Sequence, residues 1–299
     1  MYRRDYITPR QLAAAIGVSE SSLKRWTDRG FLPNIRTAGG HRRIPMAEVV
    51  EFLRKTNTPV VHPEILGICC PLAPGSIELG EACAALFDLL AAGDRAGSAA
   101  VVLRSWLGGS DLPAIFDQLI HPVLVRMGAG WERGEIELYQ EHRAAHICLG
   151  VLAELRRFIP CPARGAPVAI GGAPPGDPYL LGPAMCDLAL TLMGWRSMNL
   201  GTDTPIAALL SALEREGAQM VWLSVCGDVR RDALTDEVRR LRTRCDERGA
   251  RLVVGGRKGA ETLSEAVAGE QIGHSIRDLF RLAQLDSQRP LRGADLVGL

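Results

Sequence analysis

The 299-residue sequence has no uninterrupted apolar stretch long enough to span a membrane, and its first residues, Met1-Tyr2-Arg3-Arg4-Asp5, lack the apolar run of a secretory signal. These absences exclude a membrane span and export as expectations and point to a cytoplasmic location. No C-x-x-C pair occurs either. The eight cysteines are scattered through apolar runs, and adjacent Cys69-Cys70 does not have metal-ligand spacing, so reduced, mostly buried thiols are expected rather than a disulfide framework or zinc site. The chain also lacks net charge, at +1, but the balance is uneven. Residues 1–58 hold eleven Lys/Arg against five Asp/Glu, which leaves the remainder at −5. A basic head on an acidic body suggests a polyanion partner for the head.

What is present is ample apolar content, 47%, in a chain long enough for two or three domains. Thr8-Pro9 places a capping residue before a helix-initiating proline, and Leu12, Ala13 and Ile16 recur at helical spacing until Gly17. A second helix is expected over 20–29, with Leu23 and Trp26 inward and Ser21, Ser22, Lys24, Arg25 and Arg29 outward. Gly30 stops it, and Phe31 and Leu32 are expected to return to the core. Arg36-Thr37-Ala38-Gly39-Gly40-His41-Arg42-Arg43 reads as a tight hairpin carrying cations, and a helix over 46–55 closes the unit. The bland alternative is a solvated basic helix pair used for protein contacts.

This segment resembles the winged helix-turn-helix of the MerR family, whose R-x-x-G-G-x-R-R wing it matches. The resemblance implies that Ser21, Ser22, Lys24, Arg25 and Arg29 lie on a helix in the major groove, while Arg36, His41, Arg42 and Arg43 grip phosphate. It also implies a double-stranded operator, read by a homo-oligomer, dimer or tetramer, because so small a head binds one half-site weakly.

The prolines at 59, 63, 71 and 74 mark residues 58–75 as a linker after a head at 1–57. Helical patterns then follow around Leu79–Leu90, Ala99–Trp106, Ile115–Met127 and Glu141–Phe158, a four-helix bundle over 76–162 with Asp94 and Asp111 as caps. Gly128-Ala129-Gly130-Trp131-Glu132-Arg133-Gly134 reads as a glycine-rich turn before the last helix, one that lets a flat ligand or another backbone approach. Trp131 is followed after nine residues by Glu141-His142. On their own these residues read equally well as a core tryptophan and a solvated helix start.

Beyond residue 163, strand and helix patterns alternate up to about residue 290, with a tail at 291–299. The fold class is thus multidomain α and α/β: a winged helix-turn-helix, a four-helix bundle and a flavodoxin/Rossmann-like doubly wound parallel sheet. Ligands in such sheets bind beyond the carboxyl ends of the strands, at the switch in strand order. The loops there hold Asp177-Pro178-Tyr179-Leu180-Leu181-Gly182, Leu200-Gly201-Thr202-Asp203-Thr204-Pro205, Ser224-Val225-Cys226 and Gly255-Gly256.

Those loops resemble the D-x-H-x-x-G, L-G-x-D-T-P, S-x-L and G-G elements of the B12-binding module, and the whole arrangement resembles the CarH/LitR light-sensing regulators. The resemblance implies a repressor that binds cobalamin, in its adenosyl form as a light sensor. Trp131, Glu141 and His142 would lie over the upper ligand, and Asp177, Tyr179, Gly182, Thr202, Ser224, Gly255 and Gly256 would be on the lower side and nucleotide tail. Two positions depart from the pattern: Tyr179 stands at the axial histidine, and Cys226 at the leucine of S-x-L. A phenolate is a hard ligand with an ordinary pKa near 10, so Tyr179 does not replace imidazole on cobalt well.

Three readings therefore stay open: cobalamin without a protein ligand, haem or another tetrapyrrole on Tyr179, or no ligand at all. No catalytic residue and no metal site apart from Tyr179 is expected. The Cys70-Pro71 and Cys161-Pro162 dipeptides and the His142/His146 pair have bland readings as helix ends and helix surface. A corrinoid methyl carrier is the rival from the enzyme class; it has no use for Arg42-Arg43 in a wing.

Overall fold

A computed structural model describes residues 6–73 and 75–287, so the tail expected at 291–299 lies outside the described residues. The chain divides into two compact units, Met1–Pro160 and Cys161–Leu299.

The first unit begins with β1 (Tyr6–Ile7), α1 (Pro9–Ala15), α2 (Glu20–Asp28), β2 (Ile35–Arg36), β3 (Arg42–Pro45) and α3 (Met46–Thr56). Thr8 caps α1 in a reciprocal box with Gln11, and the Ser19 hydroxyl caps α2 by accepting the N–H of Ser22. The strands form one antiparallel sheet in the order β1-β3-β2. Leu12, Ile16, Leu23, Leu32, Ile44, Val49 and Leu53 close a core beneath it. Phe31 is not part of that core, contrary to its apolar character: it is 65% exposed, because the chain reverses at Gly30 and only Leu32 of the pair turns inward.

Residues 58–75, expected as a linker, are held at several points. The N–H groups of Val61 and His62 both donate to the Ala15 carbonyl, a 3-10 turn (Pro63–Leu66) packs against α1, and Leu66, Ile68 and Cys70 are buried. Arg157 donates to the Gly67 carbonyl at 2.9 Å.

Four helical rods follow: α4 (Leu79–Ala92); α5 (Arg95–Leu107); a third made of α6 (Leu112–Ala114), a π-helical stretch (Ile115–Ile120) and α7 (His121–Glu132); and α8 (Leu138–Arg156). Asp94 and Asp111 accept from Gly97 N and Ala114 N as caps. Leu86, Leu90, Leu103, Phe116, Ile120, Met127, Ala144, Val151 and Leu155 fill the bundle. Arg54 of α3 is stacked over Trp106 and donates to the carbonyls of Trp106 and Ser110, which ties the head to α5.

One expectation about this region needs correction. Residues 128–132 belong to the last turns of α7 rather than to a glycine-rich turn, and α8 starts at Leu138, one turn before Glu141. A glycine costs a helix about 1 kcal/mol relative to alanine, and here packing prevails: a Cβ at Gly130 would stand 2.8 Å from Ile136 Cγ1, so the glycine lets the next segment close against the helix.

The second unit alternates β4 (Val168–Gly172), α9 (Leu181–Leu192), β5 (Arg196–Asn199), α10 (Ile206–Glu216), β6 (Met220–Ser224), α11 (Arg231–Arg248), β7 (Arg251–Gly255), α12 (Gly259–Leu263) and α13 (Ile276–Ser287). All strand pairs are parallel, in the order β5-β4-β6-β7, and Ile272 adds a parallel bridge to Val254 at the edge. Val168, Ile170, Val221, Leu223, Leu252 and Val254 point into a core shared with α10 and α11. Residues between them face the other side, where α9 packs on β4, β5 and β6 and α13 packs on α9. The chain order reverses between β4 and β6, so a ligand crevice belongs beyond their carboxyl ends.

Candidate functional site

In the head, Leu23 and Thr27 anchor α2, leaving Ser21, Lys24, Arg25 and Arg29 exposed and Ser22 half-buried. The Ser19 hydroxyl lies 2.9 Å from those of both Ser21 and Ser22, and Arg25 reaches Ser22 Oγ at 3.5 Å. Thus the outward polar face expected of this helix is present. The hairpin turns at Gly40, in the left-handed region at φ +77°, with Gly40 N donating to Thr37 O and His41 N to Thr37 Oγ1. Arg36, at the end of β2, and His41, in the turn, are exposed. Arg42 differs: it donates to Thr27 Oγ1 at 2.8 Å and pairs with Asp28, bracing the wing against α2. Arg43 is half-buried and donates to the Arg42 carbonyl. Pro9, Glu20, Ser21, Lys24 and Arg42 line an open concavity between the two elements.

At the α7–α8 end of the bundle, Trp131 is 46% exposed in the last turn of α7, and Leu138 and Tyr139 are exposed at the start of α8. Glu141 is half-buried and His142 exposed, with Nε2 to Oε2 3.7 Å apart. Arg143 lies 5.5 Å from the Tyr139 ring and donates, with Gln140, to the Ala91 carbonyl. The turn is closed by Arg133 and Glu135, whose hydrogen bond holds the Glu135 carboxyl below the usual range and the Arg133 guanidinium above it. The exposed apolar groups Leu138 and Tyr139 were not singled out from sequence, because nothing in the local pattern separates them from core positions.

In the second unit Asp177 is fully buried, and backbone donors fill its carboxylate. Oδ1 accepts from Tyr179 N at 3.0 Å, and Oδ2 from Cys226 N at 2.6 Å and Gly227 N at 3.0 Å. It therefore clasps the loop after β4 to the loop after β6 across the crevice. Tyr179 is 46% exposed, with the Arg257 guanidinium 5.6 Å from its ring, and Arg257 donates to the Cys226 carbonyl. Lys258 beside it hydrogen-bonds Asp228 and depresses that carboxyl's pKa. A cation directly after Gly255-Gly256 was the sequence signal for this edge, and it went unread.

The glycines do steric work. A Cβ at Gly256, in the left-handed region at φ +93°, would stand 2.7 Å from Val225 N, and a Cβ at Gly182 would overlap Ser224 Oγ; Ser224 is buried. Gly255 O accepts from Val225 N, and Thr202 is half-buried in the turn after β5. Asp177, Gly182, Ser224, Gly255 and Gly256 thus converge on one sheet end, with Thr202 on the neighbouring strand's loop. Trp131 lies in the last turn of α7 and Glu141 and His142 in the first turns of α8, all in the first unit. Among the described residues no cluster of His, Cys, Asp and Glu has the makings of a metal site.

Residues 6–57 match the helix-turn-helix domain family, and residues 82–156, the bundle, match the B12 binding domain family. Over 222 residues the chain is 27% identical to the HTH-type transcriptional repressor CarA of Myxococcus xanthus, covering 72% of this chain and 75% of that protein. The monomethylamine corrinoid protein of Methanosarcina barkeri superposes with a TM-score of 0.58 at 17% identity, over 69% of this chain and 98% of that one, a likeness of fold. A helix-turn-helix domain and a B12-binding domain in one chain support a cobalamin-binding DNA regulator. No helix among the described residues is long and apolar enough to cross a membrane.

Proposed function

We propose that the chain is a transcription repressor whose head binds a double-stranded operator and whose bundle and α/β unit take a corrinoid, its occupancy setting oligomeric state and DNA release. The observation that carries this reading is that a polar, capped α2 braced to a cationic wing occurs in one chain with a parallel sheet whose switch point is clasped by Asp177. On the head, Ser21, Ser22, Lys24, Arg25 and Arg29 face bases and neighbouring phosphates. Arg36, His41 and Arg43 hold phosphate, and Arg42 fixes the wing angle.

On the bundle, Trp131 offers a flat apolar face, with Glu141 and His142 as hydrogen-bonding groups beside it. On the sheet, Gly182, Thr202, Ser224, Gly255 and Gly256 provide close backbone approach, and Asp177 holds the two crevice loops in register. The residues present suit a corrin ring and its amide rim, and in the loop after β4 they offer a phenol, Tyr179, rather than an imidazole. In its adenosyl form cobalamin supplies a light-labile cobalt–carbon bond, the chemistry that would make the switch light-responsive. A protein that changes subunit contacts on ligand loss must bind the ligand differently in the two states.

Titration of the ligand-free protein with adenosylcobalamin in the dark, followed by visible spectrum and light-scattering mass, tests the reading. Stoichiometric binding with a change in subunit number on illumination supports it. The exposed Tyr179 phenol favours one rival, ferric haem on tyrosinate; a Soret band with haemin and no corrinoid binding would establish that instead.

A further inference from the structure

The α9 side of the sheet at the switch point is where an extended ligand tail would enter, between strand and helix. In register across β4 and β6, Gly171 lies opposite Trp222, and both face α9, because their neighbours Ile170, Val221 and Leu223 face the opposite core. The Trp222 indole lies over Gly171 so closely that a Cβ on the glycine would overlap the ring. Trp222 is only 1% exposed, and its buried Nε1 has no hydrogen-bond partner, so packing alone holds the ring there. Further out, Gly182 sits against Ser224 and Gly172 against the Gly201 carbonyl, where a Cβ would come to 2.7 Å. The space that Gly171 leaves on the α9 side is therefore taken by one large side chain of the protein itself, Trp222.

Resting on the corrinoid reading above, we infer that Trp222 plugs the tail slot and that this chain binds cobalamin with its nucleotide outside the sheet and its own lower base still on cobalt. Tyr179 agrees with this from an independent direction. A protein that draws the nucleotide into its sheet leaves the lower face of cobalt vacant and needs a replacement ligand; two residues after Asp177 the loop carries the Tyr179 phenol rather than an imidazole, and Asp177, which could orient one, is committed to three backbone N–H groups. Filled slot and missing ligand have one common consequence, retention of the cofactor's own base.

The test is electron paramagnetic resonance of cob(II)alamin bound to the full chain, together with the relative affinity of cobinamide, which lacks the nucleotide. Nitrogen superhyperfine splitting from the lower base is expected to persist on binding, and cobinamide is expected to bind within about tenfold of cobalamin. Trp222→Ala and the milder Trp222→Leu, checked for folding by circular dichroism, should shift that ratio in favour of cobalamin as the slot opens. Loss of the splitting in the wild-type protein would overturn the inference while leaving corrinoid binding intact; an unchanged ratio in a folded variant would remove Trp222 as the plug. Failure of both corrinoids to bind would overturn the corrinoid reading and this inference with it.

Discussion

Asp177 Oδ2 accepts the backbone N–H of Cys226 at 2.6 Å, joining the loop after the first strand of the α/β unit to the loop after its third. Sequence separates the two residues widely, and the switch in strand order brings them together. Because the carboxylate satisfies three buried N–H groups, Asp177→Ala is expected to destabilise the α/β unit by about 3 kcal/mol. Asp177→Asn keeps one acceptor oxygen and should cost less. Urea unfolding of both variants checks this; wild-type midpoints would show that the clasp carries no weight.

Arg36 and Arg42 are expected to separate in their effects on DNA binding. Arg36 is exposed at the end of β2, so Arg36→Ala should weaken binding to all sequences and lower the slope of log affinity against log salt by about 0.9. Arg42 braces the wing through Thr27 and Asp28. Its pair is partly exposed, so Arg42→Ala should cost about 1 kcal/mol of head stability after screening and impair binding chiefly by releasing the wing. Fluorescence anisotropy across a salt series distinguishes the two; identical slopes would contradict the division of labour.

Trp131→Ala should leave stability within about 0.5 kcal/mol of wild type, since the side chain is exposed. Corrinoid affinity should fall at least about tenfold as the flat contact is lost. Thermal melts and spectral titration measure the two quantities side by side. A large fall in melting temperature would identify Trp131 as a packing residue instead.

Burial raises the thiols of Cys148 and Cys245 from an ordinary 9.0 to about 12. Below pH 9 the folded and unfolded chains both hold these protons, and the full stability is present. Above it the unfolded chain releases them first, so stability should decline from pH 9 towards 12. At pH 8 an alkylating reagent should label exposed Cys69 well before either buried thiol. Mass spectrometry of a timed reaction reads this, and early labelling of Cys148 would place it outside the bundle core.

Much of the architecture is written in local signals. Thr8, Asp94 and Asp111 mark helix starts that the structure keeps, because a side-chain oxygen before a helical pattern has one strong local use. The alternation of β4 to β7 with α9 to α11 was equally legible. Residues 128–132 were not, since two glycines outweigh helical continuity until the packing of Ile136 against Gly130 is known. Phe31 misled for a related reason: apolarity marks candidates for burial, and the turn at Gly30 decides which of two neighbours is buried.

For the site, the glycine and aspartate positions stood out because backbone approach constrains residue type. Trp222 did not, for a tryptophan in an apolar strand looks like ordinary core. Only the register that sets it beside Gly171 reveals the space it fills. Arg42 shows the converse, a cation with the expected spacing whose contacts are internal.

Under the proposed function, corrinoid occupancy governs DNA binding. The most direct measurement is the affinity of the full-length protein for an operator selected from random duplex DNA, taken ligand-free, with adenosylcobalamin in the dark, and again after illumination. The account expects tight binding in one of these states and a loss of at least about tenfold in another, with subunit number changing in step. Equal affinity in all three states, with corrinoid demonstrably bound, would contradict it.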